Sequence, residues 1–178
     1  ALAPAVAHLL HHLFESSVTT PWLVVKTLAD LAEVRAFAAR EAGVDVIVLE
    51  RAPQDEEGGN TRFTAGAIRF AYDGVDDLRA LMPDLTDEEV ARTDFGQYTE
   101  ENFFDDMARV TENRTDPDLA ELLVRRSRAT LMWLRDKGVR FVPIYGRQAF
   151  KVDGRFRFWG GLTVEAWGGG PGLVEAQR

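Results

Sequence analysis

The first part of the chain alternates between short apolar runs and one helical repeat of apolar positions. Residues 22–25 (WLVV) and 45–49 (DVIVL) are short runs rich in β-branched side chains, which is typical of buried strands. Between them, residues 28–42 place their apolar side chains on one helical face, and Gly43 stands where a helix C-cap is expected. The pattern predicts a strand–helix–strand unit that contains a small, mostly parallel sheet.

The middle of the chain, residues 75–138, has helical periodicity throughout and is predicted to be a helical insertion. Thr86 and Thr99 are each followed by acidic residues, a pattern that favours the beginning of a helix. Asp116-Pro117 is predicted to open the longest helix, over about 117–137, because proline is well suited to the first helical position.

The periodicity returns to that of strands after Gly138. Residues 139–144 are predicted to form a strand, and Asp153-Gly154 between two apolar runs predicts a β-hairpin over 149–152 and 155–159. The glycine-rich segments 159–161 and 167–172 are expected to be loops. The fold class predicted from these patterns is α/β, with a partial Rossmann-like unit, a helical insertion and a late hairpin.

Composition and charge narrow the possible functions. The chain is 46% hydrophobic and 28% charged, which is globular composition, and no apolar run approaches the length of a transmembrane helix. The net charge of −8 disfavours a nucleic-acid partner. The sequence has no cysteine, which excludes disulfides, thiolate metal sites and a cysteine nucleophile, and fits a cytoplasmic location.

The three histidines lie near the N-terminus, in a short helix predicted over residues 5–15. His8 and His12 share one helical face, but a metal site needs a further ligand, and the sequence around His11 supplies none. No metal site is therefore predicted. The same residues lack the basic segment that precedes a signal peptide.

Candidate chemistry begins where the second predicted strand ends. Glu50 stands where an acid can accept hydrogen bonds from the hydroxyls of a nucleotide ribose. Residues 58–61 (GGNT), with Gly66 a little further on, can form a backbone cradle for a planar or phosphate-bearing ligand. The expected glycine turn after the first strand is replaced by Thr27, Ala29 and Ala32, so an ordinary strand–helix–strand element with a solvated acid remains an alternative.

Long segments of the chain resemble the flavoproteins of the fumarate reductase and succinate dehydrogenase type, and among these the FAD-dependent tricarballylate dehydrogenases. The segments that carry the resemblance are residues 46–53, 58–72, 76–89, 116–127 and 141–174. The resemblance implies that Glu50 holds the adenosine ribose of FAD. It further implies that Gly66 lies close to the isoalloxazine, and that the pyrophosphate and flavin are lined by Gly58, Gly59, Asn60 and Thr61.

The resemblance also implies an organisation of the chain. It divides the chain into an unmatched helix (1–21), a partial FAD-binding region (22–74), a helical insertion (75–138) and a hairpin with a glycine-rich return segment (139–178). The departure at residues 1–37 is abrupt, and the catalytic arginine of such enzymes lies beyond Arg178. No catalytic residue is therefore assigned, and the 178-residue chain is expected to be inactive alone.

The implied activity is that of the N-terminal part of an FAD-dependent oxidoreductase that dehydrogenates a polycarboxylate, with tricarballylate to cis-aconitate as the specific reaction. A membrane-bound electron-accepting partner is also implied. Four residues are expected to form a wall of the substrate site: Tyr145, Arg147, Glu165 and Trp167. The alternative is a non-catalytic remnant, or an interaction domain, that binds FAD weakly or not at all.

Overall fold

The fold is described from a computed structural model, in which the described residues are 22–26, 32–50 and 52–177. The predicted helix over 5–15 with its histidines, and the turn positions Thr27 and Ala29, lie outside them. The chain divides into two compact units, residues 1–59 and residues 60–178.

The first unit contains the predicted strand–helix–strand element. Strand β1 (Trp22–Lys26) pairs in parallel with β2 (Asp45–Leu49), and helix α1 (Ala32–Glu41) connects them. Gly43 follows the helix with φ +78°, and the Val44 amide donates to the Ala39 carbonyl at 3.0 Å. The predicted parallel pair and the glycine cap are therefore confirmed.

Few side chains are buried among the described residues of the first unit. Ala36 of α1 is 9% exposed and packs against Val46 of β2. The next three residues of β2, Ile47, Val48 and Leu49, are 38%, 43% and 43% exposed. This strand is apolar in sequence, but its side chains remain largely accessible.

The second unit contains the remaining helices and strands of the described chain. Its helices are α2 (Val75–Leu81), α3 (Asp87–Arg92), α4 (Glu100–Thr111), α5 (Pro117–Asp136), α6 (Tyr145–Gln148) and α7 (Gly169–Glu175). Its strands are β3 (Ala67–Arg69), β4 (Thr93–Asp94), β5 (Phe141–Pro143), β6 (Ala149–Val152), β7 (Arg155–Phe158) and β8 (Thr163–Ala166). A 3₁₀ helix (Gly59–Phe63) leads into β3.

The strands of the second unit form two small sheets. In one, β8 lies between β3 and β5 and is antiparallel to both. In the other, β7 pairs with β6 as the predicted hairpin and with β4 in parallel. Asp153 and Gly154 have φ +50° and +82°, the left-handed conformations of a two-residue hairpin turn. The hairpin prediction is confirmed.

Three features of the second unit correct the sequence predictions. Strand β4 lies inside the segment predicted to be helical, and it forms because two residues pair with the hairpin. Strands β3 and β8 were not predicted, because each is too short for a period-two pattern to stand out. The segment 167–172 is not entirely a loop, since α7 begins at Gly169.

The predicted helix starts are confirmed by their caps. The hydroxyls of Thr86 and Thr99 accept hydrogen bonds from the third helical amides, and in both cases the third side chain completes a capping box. Asp116 caps α5 by accepting from the Leu119 amide at 3.0 Å, with Pro117 at the first helical position. These local patterns fixed the helix boundaries of the insertion.

The core of the second unit is dense. Phe70, Tyr72, Leu78, Leu162 and Val164 are each 0% exposed. The hydroxyl of Tyr72 donates to the Phe95 carbonyl at 2.7 Å and accepts from the Leu162 amide at 2.8 Å. These two buried hydrogen bonds hold the residues before β8 against β3 and its continuation.

Candidate functional site

Hydrogen bonds between near neighbours in the chain hold the glycine segment of the second unit in shape. The Thr64 amide and hydroxyl both donate to the Thr61 carbonyl, at 3.1 Å and 2.8 Å. The Thr64 hydroxyl also accepts from the Gly66 amide at 3.0 Å. We call residues 60–66 the glycine loop. It contains three of the residues predicted to line the flavin, namely Asn60, Thr61 and Gly66.

Gly66 has no room for a side chain. Its φ is +64°, and a methyl group there would lie 2.9 Å from the carbonyl carbon and oxygen of Gly169. Its own carbonyl accepts from the Ala166 amide at 2.9 Å, so the loop is fixed to the end of β8. The close approach of two backbones explains why glycine occupies this position.

The start of α7 closes over the other end of the glycine loop. The Gly170 amide donates to the Thr64 carbonyl at 3.0 Å, and a methyl group on Gly170 would lie 2.0 Å from the Thr61 carbonyl oxygen. Gly169 has φ +68° and faces the Ala65 carbonyl. The sequence predicts a loop here and does not predict this contact. The run of three glycines at 168–170 was the signal for it.

These observations test whether a flavin fits the second unit. The glycine loop exposes the polar side chains of Asn60 and Thr64, and the space beside Gly66 is filled by the Gly169 backbone, which fixes the shape of the loop. An ordered loop of exposed backbone and small polar side chains can face a planar, phosphate-bearing cofactor. The residues present therefore fit the group.

Glu50 and Gly58 belong to the first unit. Glu50 follows β2 as predicted and is exposed, and one of its carboxylate oxygens accepts from the Ala52 amide at 2.8 Å. Gly58 and Gly59 have φ +95° and +52°, left-handed conformations that glycine adopts without strain. An acid after the second strand of a parallel unit fits the ribose of a dinucleotide.

The four residues predicted for a substrate wall have separate neighbours. Tyr145 accepts or donates a hydrogen bond with the Thr93 hydroxyl at 2.9 Å, and its ring contacts those of Phe156 and Phe158. Trp167 lies under the Arg140 guanidinium, 4.5 Å from the ring centroid. Of the other two, Arg147 is exposed at the end of α6, and Glu165 pairs with Ala67 and Val142 in the sheet. Their role in a substrate site stays a prediction.

A polar cluster that the sequence did not reveal surrounds the Gly160-Gly161 turn. The Arg69 guanidinium lies 4.7 Å from the Tyr98 ring centroid and donates to the Gly160 carbonyl. The Tyr98 hydroxyl donates to Asp106 at 2.8 Å, and a methyl group on Gly161 would lie 2.7 Å from Tyr98. The ring and the guanidinium therefore fix the conformation of the turn before β8.

The electrostatics of this cluster favour a neutral tyrosine beside a charged acid. Burial, followed by the hydrogen bond to Asp106, raises the pKa of Tyr98 to about 12. Hydrogen bonds from Arg109 and Tyr98 lower the pKa of Asp106. A proton on Tyr98 is thus held firmly, and the cluster acts as a fixed support.

The described residues contain neither a metal-binding cluster nor a membrane-spanning helix. No group of three or more His, Asp or Glu side chains in this part of the chain could hold a metal ion. None of the helices described in the structure is both long and apolar enough to cross a bilayer. Two arginines of α5 are ion-paired, Arg125 with Glu121 and Arg128 with Asp73 and Asp77.

A parallel strand–helix–strand unit that ends in an acid is a feature of proteins that bind a dinucleotide cofactor. Residues 34–171 match the family described as the FAD binding domain, which is well over half of the chain. The chain belongs to this family of FAD-dependent oxidoreductases, which includes the fumarate reductase and succinate dehydrogenase flavoproteins, and FAD is its cofactor. No curated protein and no solved structure matches the chain significantly.

Proposed function

We propose that this chain is the FAD-binding part of a dehydrogenase that removes two hydrogens from adjacent carbons of a polycarboxylate. The family match supports the flavoprotein class, and the ordered glycine loop, whose shape the contact of Gly66 with Gly169 fixes, is the structural observation that supports a flavin site. Bound FAD supplies a two-electron acceptor for such a reaction. Tricarballylate, oxidised to cis-aconitate, is the proposed substrate because residues 141–174 resemble a long segment of enzymes of that specificity.

The proposed cofactor contacts are those that the resemblance implies. Glu50 accepts hydrogen bonds from the adenosine ribose. Gly58, Gly59, Asn60 and Thr61 line the pyrophosphate and flavin, and Gly66 lies close to the isoalloxazine. The wall residues Tyr145, Arg147, Glu165 and Trp167 are proposed to contact the polycarboxylate. We further propose a cytoplasmic location and electron transfer to a membrane-bound partner.

The contribution of Glu50 is tested by the Glu50→Gln variant. The substitution keeps the side-chain shape but removes the charge that strengthens the ribose hydrogen bonds, at a cost of roughly 1.5–3 kcal/mol. We expect the affinity for ADP and FAD, measured by calorimetry, to fall about tenfold or more. Glu56→Gln, an equally exposed acid on the same loop, is the matched control. Equal losses from both variants would make Glu50 an ordinary surface acid.

The expectation that this chain is inactive alone is tested separately, by flavin reduction. The purified chain is supplied with excess FAD, and bleaching of the flavin absorbance is followed with tricarballylate or succinate. Because no catalytic residue is assigned within these 178 residues, we expect FAD to bind and turnover to stay near that of free flavin. Rapid reduction by tricarballylate would show that this chain carries its own catalytic group. An absence of FAD binding would favour the alternative of a non-catalytic remnant or interaction domain.

A further inference from the structure

Two glycine segments that are distant in sequence interlock in the second unit. The glycine loop (60–66) and the first turn of α7 approach so closely that a methyl group on Gly170 would lie 2.0 Å, 2.7 Å and 3.0 Å from the carbonyl oxygens of Thr61, Thr64 and Arg62. Separations below about 3 Å between a methyl carbon and an oxygen are repulsive. No rotation of a side chain relieves them, since all three oxygens belong to the backbone.

Two hydrogen bonds also join the glycine loop to the segment that leads into α7. The Gly170 amide donates to the Thr64 carbonyl at 3.0 Å, and the Ala166 amide donates to the Gly66 carbonyl at 2.9 Å. The segment 166–170 therefore holds the loop at two positions. Gly170 itself is buried, so water does not replace these backbone contacts.

We propose that Gly170 is a positioning residue for the flavin: the absence of a side chain at Gly170 lets α7 fix the glycine loop in the conformation that receives the isoalloxazine. The inference rests on the proposed contacts of Asn60, Thr61 and Gly66 with the flavin. It adds a residue outside that loop which determines the loop's shape without touching the adenosine part of the cofactor.

The chain offers a closely matched control on the same helix. A methyl group on Gly172 would lie 1.9 Å from the Trp167 carbonyl oxygen, which is as severe a clash as that of Gly170 with Thr61. That clash falls on Trp167, which belongs to the segment 166–170, and not directly on the glycine loop, so Gly172→Ala shows how far a displacement of that segment alone loosens the loop. Gly146→Ala is the neutral control, because a methyl group there meets no atom within 4 Å.

The first measurement needs no cofactor. Amide hydrogen exchange is followed over residues 61–66 in the wild-type chain and in Gly170→Ala, Gly172→Ala and Gly146→Ala. We expect Gly170→Ala to accelerate exchange of the Thr64 and Gly66 amides about tenfold or more, because the clash with the glycine loop also breaks the hydrogen bond from the Gly170 amide to the Thr64 carbonyl. Gly172→Ala should accelerate them less than Gly170→Ala does, and Gly146→Ala should leave them unchanged. Equal acceleration in Gly170→Ala and Gly172→Ala, or none in either, would overturn the proposal.

The second measurement compares FAD with ADP. Gly170→Ala should weaken FAD binding about tenfold, measured by flavin fluorescence, and alter the absorption band of the bound flavin, while ADP affinity stays at the wild-type value. A Gly170→Ala variant that binds FAD with wild-type affinity and spectrum would refute the positioning role. If the wild-type chain binds neither FAD nor ADP, the proposed function fails, and the exchange measurement still decides whether Gly170 orders the loop.

Discussion

The two units of the molecule place apolar strands in opposite environments. Strand β2 of the first unit is the more apolar in sequence, yet Ile47, Val48 and Leu49 are 38–43% exposed. Strand β8 of the second unit contains a threonine and a glutamate, yet Val164 is 0% exposed and Ala166 1%. The difference shows that burial depends on the layers around a strand more than on its own composition.

The cause of the difference is the arrangement of neighbours. β8 lies between two strands and contacts α7, so it is covered within its own unit. Among the described residues, β2 has β1 as its strand partner and α1 as its packed helix, whereas parallel strands in α/β proteins are usually covered on both faces. Apolar area left in contact with water contributes little to stability.

The largest expected effect comes from truncating one apolar side chain in each unit. Phe70→Ala deletes the ring of a residue that is 0% exposed and should lower the free energy of unfolding by about 3–5 kcal/mol. Val48→Ala deletes two methyl groups of a residue that is 43% exposed and should lower it by less than about 1 kcal/mol. Urea denaturation followed by circular dichroism measures both. A loss of stability from Val48→Ala as large as that from Phe70→Ala would contradict the difference in burial between the two units.

A second pair of variants separates buried from supporting hydrogen bonds within the second unit. Tyr72→Phe leaves the Leu162 amide and the Phe95 carbonyl without their buried partner, and should destabilise by roughly 2–4 kcal/mol. Tyr98→Phe removes one hydrogen bond to Asp106, which still accepts from Arg109, and should cost about 1 kcal/mol. Thermal unfolding of both variants measures which of them loses more stability. The reverse ranking would mean that the cluster at Gly160-Gly161, not Tyr72, anchors β8.

Sequence patterns predicted the elements that are stabilised by near neighbours in the chain. Thr86, Thr99 and Asp116 each cap a helix with bonds that span three residues, and Asp153-Gly154 closes a two-residue turn. Strands β3, β4 and β8 are only two to four residues long and exist through pairing with distant segments, so their own residues could not predict them.

The candidate site shows the same contrast between local patterns and long-range contacts. Gly66 was predicted from its spacing, because a glycine a few residues after Gly58-Gly59 is a local pattern. The contact of Gly170 with Thr61 joins segments that are far apart in the chain, and no periodicity carries that information. The support of Gly161 by Tyr98 was missed for the same reason.

The titration of Tyr98 tests the two main causes that raise its pKa, burial and the hydrogen bond to Asp106. Its pKa is raised from the usual 10.0 to about 12, so the folded state holds the phenolic proton more tightly than the unfolded chain does. The stabilisation is complete below pH 10 and is lost as the pH rises through about 12. Wild type should therefore lose more stability than Tyr98→Phe over this range. The difference in tyrosinate absorbance at 295 nm between wild type and Tyr98→Phe should show a step near pH 12. A step near pH 10 in this difference would mean that neither burial nor the hydrogen bond to Asp106 raises the pKa of Tyr98.

The smallest effects are expected from one ion-paired arginine in each unit. Arg128 of α5 contacts Asp77 at 2.6 Å and Asp73 at 2.9 Å, and so ties α5 to the beginning of α2. Arg40 of α1 contacts Asp45 at 3.1 Å, and their side chains are 65% and 40% exposed. We expect Arg128→Met to lower the free energy of unfolding by about 1 kcal/mol and Arg40→Met by less than about 0.5 kcal/mol.

The salt dependence of the two variants distinguishes charge from packing. In 1 M NaCl, screening acts over about 3 Å, so the loss from Arg128→Met should shrink toward that of Arg40→Met. Urea denaturation at low and high salt provides the comparison. An undiminished loss at high salt would mean that the aliphatic part of Arg128 stabilises the contact between α5 and α2. A loss from Arg40→Met that exceeds the loss from Arg128→Met would show that the first unit depends on its surface charges to make up for its few buried side chains.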